Sequence, residues 1–135
     1  MNMRRIEHLG IAVKDLKQSN NLFEKLLGVA PYKEEVVESE NVVTSFFTVG
    51  ENKIELVAST SEDGPIGKFL SAKGEGIHHV AFEVDDIVVE MKRLRDAGFK
   101  LLNDEPKRGA DNKLVCFVHP KTTGGVLVEL VQEIR

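Results

Sequence analysis

Apolar and polar residues alternate along several short runs of this chain, and two of the alternations lead into stretches with apolar residues every three or four positions. Residues 8–16 read HLGIAVKDL and residues 79–87 read HVAFEVDDI. Successive side chains of a strand point to opposite faces. In the first run Leu9, Ile11 and Val13 therefore share one face, and His8, Gly10 and Ala12 the other. In the second, His78, Val80, Phe82 and Val84 share a face, opposite His79, Ala81 and Glu83. Each strand has a bulky apolar face to bury. On its other face a histidine stands among small residues, which leave room for a further group to approach.

The two runs are copies. An offset of 71 residues carries His8 onto His79, Val13 onto Val84 and Asp15 onto Asp86. His78 falls opposite Glu7, so the repeat selects His79 as the partner of His8 and leaves His78 as a neighbour of the structural face. Asp15 and Asp86 occupy N-cap positions of the helices that follow. In the first helix Leu16, Leu22, Phe23, Leu26 and Leu27 are expected on one face, with Gly28 as the stop. In the second Ile87, Met91, Leu94 and Ala97 play that part before Gly98.

Strands are expected near YKEEVVE, in NVVTSFFTVG and NKIELVAS, and again in KLVCFVH and GVLVELVQ around the turn PKTTGG. A short helix is expected around Ile66–Lys73 in the connecting segment. The reading is a single α+β domain over 1–135 with the order βαβββ twice. Its first module spans about 5–58, the linker about 59–75 and the second module about 76–131.

The halves also end alike, with IELV at 54–57 and VELV at 128–131, so the matched set becomes His8, Glu55, His79 and Glu129. A strand of this kind can point a glutamate to solvent. Two glutamates at matching places, each with a matching histidine, suggest otherwise. A carboxylate removed from water needs a compensating charge, because leaving it unpaired costs several kcal/mol. No Lys or Arg recurs at corresponding positions of the two halves to serve both. Two imidazoles with two carboxylates suit a divalent ion such as Zn, Co, Ni, Fe or Mn, with one or two coordination positions left over.

Composition narrows the setting. The 135 residues are 41% apolar and 30% charged, and the net charge of −4 gives no footprint for nucleic acid. No apolar run reaches membrane-spanning length, and the start lacks the apolar segment of a secretory signal. Cys116 is the single cysteine, which excludes an internal disulfide, suits a cytoplasmic protein and reads as a core residue.

These segments resemble the vicinal oxygen chelate superfamily, the glyoxalase/bleomycin-resistance/dioxygenase fold, and within it the methylmalonyl-CoA epimerase family. IEHLGIAVKDL, IELV, GEGIHHVAFEVDDI, DEPKRGADN and FVHPKTTGGVLVEL carry the resemblance over nearly the whole chain. It implies a cupped mixed sheet around a metal held by His8, Glu55, His79 and Glu129, and a homodimer. It also implies epimerisation of methylmalonyl-CoA at C2 through a metal-stabilised enolate. Glu129 and Glu55 are then the candidate proton-transfer groups, with the Glu34–Glu40 segment as another source for the second. Some relatives carry a glutamate where this chain has Thr44, which cannot act as a base near neutrality. Lys121 and Thr122, or Thr123, are candidates for the substrate carboxylate or coenzyme A, and Lys107 or Arg108 of a loop EPKRGADN for its phosphates. A glyoxalase I-type lyase and a non-catalytic ligand-binding protein on the same fold are the alternatives.

Overall fold

The computed structural model describes residues 3–134. Its strands are β1 (Met3–Ala12), β2 (Lys33–Val37), β3 (Val42–Val49), β4 (Asn52–Ser59), β5 (Gly76–Val84), β6 (Lys107–Gly109), β7 (Lys113–Val118) and β8 (Val128–Glu133). The helices are α1 (Leu16–Leu27), α2 (Pro65–Lys73) and α3 (Ile87–Asp96). The order is βαβββ, the linker helix α2, then βαβββ again. None of these helices is long and apolar enough to cross a membrane.

The chain divides into two compact units, one holding His8–His78 and the other the chain through Glu7 and from His79 onward. Both divisions fall inside a strand, at the residue before each repeated histidine. In the first unit the strands run β2-β3-β4-β1, with β4 parallel to β1 and the other pairs antiparallel. In the second they run β5-β8-β7-β6, with β5 parallel to β8.

The helices start where the sequence places them. Asp15 accepts from the Gln18 N–H at 3.0 Å and Asp86 from the Val89 N–H at 3.2 Å, each satisfying an otherwise orphaned amide. Gly28 closes α1 in the left-handed conformation, φ 77°, its N–H donating to the Glu24 carbonyl. At Gly67 the reason is space. A Cβ there would stand 2.6 Å from the Ser61 carbonyl oxygen, so α2 packs directly on the preceding loop.

The C-terminal ends of the bulky faces of β1 and β5 pack under the helices, whereas Leu9, Val80 and Phe82 are half-buried. Ile11 and Val13 join Phe47, Leu56 and Ala58 under Leu16, Phe23 and Leu27 of α1. Val84 joins Cys116, Val118 and Leu130 under Ile87, Met91 and Leu94 of α3. Burial pushes the Cys116 thiol up from its ordinary pKa, as expected of an inert core residue.

Four local expectations change. Leu22 and Leu26 are 62% and 70% exposed. At about 100° per residue they sit beside the stripe of Leu16, Phe23 and Leu27, not on it. Ala97 is an exposed C-cap, since α3 ends at Asp96. The last strand begins at Val128, because Gly124 and Gly125 take φ values of 70° and 96° and complete the turn. Finally, Lys107–Gly109, read as loop, forms β6 along β7 and supplies the third strand of the second module.

Phe23 meets Phe47 ring to ring at 6.5 Å. Phe23→Ala should therefore lower stability by roughly 2–3 kcal/mol in urea unfolding, whereas Leu22→Ala should stay within about 0.5 kcal/mol.

Candidate metal and substrate site

The histidines lie on β1 and β5, and the glutamates on the strands that run parallel to them. In the first unit Glu55 stands opposite Gly10, and His8 lies two residues back on the same face. In the second Glu129 stands opposite Ala81, with His79 again two residues back. The small residue beside each carboxylate leaves the space over which it reaches its imidazole. His8 Nδ1 lies 3.0 Å from Glu55 Oε2, and His79 Nε2 lies 3.2 Å from Glu129 Oε1. All four residues are buried, with exposures of 4%, 7%, 8% and 7% in chain order.

A further matched pair comes with the register. Phe46 on β3 stands opposite Glu55, and Phe117 on β7 opposite Glu129, again 71 residues apart. Phe117 and His79 meet edge-to-face, with ring centroids 5.9 Å apart at 85°. The repeat offset, applied to the phenylalanines, carries the same signal in the sequence. His78 packs edge-to-face on Phe69 of α2 at 4.9 Å, away from these pairs in role.

The donor chemistry fits a divalent cation. Two ligand atoms each about 2.1 Å from one ion, and about 90–109° apart around it, stand roughly 3.0–3.4 Å from each other. Each His–Glu pair has this spacing, and neutral imidazole with carboxylate is the ligand mixture of borderline divalent metals.

The other candidates are distributed as follows. Thr44 is buried on β3, opposite Glu35 and Val57. Glu38 and Glu40 belong to a short 3-10 turn after β2, Glu38 being exposed. Lys107 stands opposite Val115 at the β6 edge, and Arg108 is exposed. Lys121 is exposed on a 3-10 turn, Pro120–Thr122, that follows β7. The Thr122 hydroxyl donates to the His119 carbonyl at 2.9 Å and accepts from the Lys100 N–H at 3.3 Å, bracing that turn. Sequence reading missed His119 itself, whose ring accepts from the Lys121 N–H. Its placement just before Pro120 at a strand exit was the available signal.

Residues 7–117 match the family model of the glyoxalase/bleomycin resistance protein/dioxygenase superfamily. The chain belongs to that superfamily. Several of its near full-length relatives carry a more particular name. The ethylmalonyl-CoA/methylmalonyl-CoA epimerase of Cereibacter sphaeroides is 39% identical, over 95% of this chain and 97% of that one. The crystal structure of methylmalonyl-CoA epimerase from Mycobacterium tuberculosis superposes with a TM-score of 0.95 at 33% identity, covering 98% and 90% of the two chains. A methylmalonyl-CoA epimerase solved with methylmalonyl-CoA and ammonium superposes at 0.94 with 35% identity, covering 97% and 95%.

Each pair loses a ligand when one member is truncated, so His8→Ala and Glu129→Ala should each weaken divalent-cation affinity tenfold or more, measured by competition with a chelating dye. His78→Ala should leave it within about twofold.

Proposed function

We propose that this chain is an isomerase that epimerises methylmalonyl-CoA at C2, with a divalent cation held by His8, Glu55, His79 and Glu129. The observation that carries the reading is the repeated pair, a buried imidazole within 3.2 Å of a buried carboxylate, in a chain so similar to methylmalonyl-CoA epimerases. Co, Zn, Mn, Ni and Fe all match this ligand mixture. When bound, the ion supplies Lewis-acid stabilisation of negative charge developing on the substrate's acyl oxygens.

The chain's own residues supply the proton transfers. The C2 proton is acidic because it lies between a thioester and a carboxylate. One carboxylate takes this proton while the electron pair moves into the thioester carbonyl, and a second group returns a proton to the opposite face, inverting the centre. Glu129 and Glu55 are proposed for these two roles, one from each repeat. Burial of both glutamates keeps bulk water away from the proton in transit. The Phe117 ring, perpendicular to that of His79, helps keep that pair dry.

Lys121 and Thr122 are proposed to meet the substrate's carboxylate or part of coenzyme A. Lys121 offers an exposed ammonium to the carboxylate, and Thr122, whose hydrogen is given to the His119 carbonyl, offers a remaining lone pair to an N–H or O–H of coenzyme A. Cytoplasmic residence and assembly as a homodimer complete the proposal; sedimentation equilibrium of the metal-loaded protein tests the assembly.

Proton NMR of methylmalonyl-CoA in D2O with the metal-loaded protein is the direct test. The C2 proton signal should disappear, and a chelator should stop the exchange. A folded, loaded sample that leaves the signal intact would refute the epimerase reading. Lys121→Met should raise KM about five- to tenfold and leave kcat within about threefold, as for a contact shared by ground and transition states.

A further inference from the structure

We infer that His119 is a positioning residue for substrate binding. Its neutral imidazole fixes the turn that presents Lys121; this rests on the proposed role of Lys121 above.

The sequence leading into the turn is Val118-His119-Pro120-Lys121-Thr122-Thr123. Pro120 has no N–H, so the first amide the turn must satisfy is that of Lys121. Ser, Thr, Asp or Asn ordinarily accepts such an amide. Here the acceptor is the His119 ring, with Nδ1 3.1 Å from the Lys121 nitrogen. An accepting Nδ1 carries no proton, so the imidazole is the neutral tautomer with its hydrogen on Nε2. The rest of the turn closes around it. The Thr122 N–H donates to the His119 carbonyl at 3.0 Å, and the Gly125 N–H to the Pro120 carbonyl at 2.8 Å. The His119 N–H donates to the Lys100 carbonyl at 2.7 Å, anchoring the start of the turn to the chain before the Leu101–Val118 bridge.

Position gives this cap its consequence. His119 leaves β7 two residues after Phe117, with an extended backbone at φ −61° and ψ 128°. Phe117 is the residue opposite Glu129, its ring perpendicular to that of His79. The turn therefore begins beside the second His–Glu pair, and Lys121 is the first cation along it. A lysine side chain has four rotatable bonds, so ordering its backbone in advance removes part of the entropy lost when it meets an anion. Neither the thioester nor C2 is involved in that bond. Its loss should weaken binding and spare the chemical step.

Three variants decide it. Asn places Oδ1 where Nδ1 stands and keeps the acceptor. Gln places its acceptor near the Nε2 position, and Leu has none. His119→Leu and His119→Gln should raise the Kd for methylmalonyl-CoA about five- to tenfold by calorimetry, with kcat within about twofold. Exchange of the Lys121 amide hydrogen, followed by NMR, should speed up tenfold or more. His119→Asn should restore both. Should the leucine variant fail to fold, the glutamine variant carries the comparison. Unchanged Lys121 exchange in Leu and Gln variants overturns the inference, because the bond then does no ordering. Faster exchange with an unchanged Kd overturns it too, since the bond is then only a brace. A wild-type protein that binds methylmalonyl-CoA without exchanging its C2 proton sinks the epimerase reading alone, and the Kd and amide comparisons still decide His119. A wild-type protein that binds no CoA thioester sinks both.

Discussion

A carboxylate buried in the middle of an apolar strand must be given a partner, and the rest of this molecule is arranged around meeting that need twice. Glu55 and Glu129 each lie in strands whose other face belongs to a hydrophobic core, so neither can turn to water without dragging its strand out of register. Parallel pairing sets each opposite a residue with little or no side chain, Gly10 or Ala81, and the imidazole two positions back comes within 3.0 or 3.2 Å. The chemistry thus depends on a packing rule as much as on the ligands themselves.

The cores on the opposite faces keep the pairs where they are. α1 and α3, each started by an aspartate cap, cover the bulky side of β1 and β5. The same alternation that sends Ile11 and Val13 under α1 sends His8 and Ala12 the other way. Structural and functional faces of one strand are separated by a single residue. Phe46 and Phe117 extend this order, each standing across from the glutamate of its own unit.

The segment after β7 follows different physics. Its residues are polar, its glycines take positive φ, and its shape is set by side chains accepting backbone amides. Thr122, a candidate substrate contact in the sequence, also braces the turn, its hydroxyl donating to the His119 carbonyl and accepting from the Lys100 N–H. His119 looks like an ordinary strand-end residue and proves to be the cap. Residue type alone could not separate these roles, because hydroxyls and imidazoles serve ligands and backbone amides equally well.

By itself the sequence determined the repeat, the alternation of both strands, the caps of α1 and α3, and the four side chains of the His–Glu pairs. All of these follow from period-2 and period-3.6 patterns or from residue types at matched spacing, which need only local geometry. Tertiary structure decided which residue stands opposite each glutamate, since register is a property of two strands. It decided that Leu22 and Leu26 face outward, because Phe23 and Leu27 meet Phe47 and the sheet first. It also made a strand of Lys107–Gly109, three residues too few to show a period, which extend only because β7 offers them a hydrogen-bonding edge.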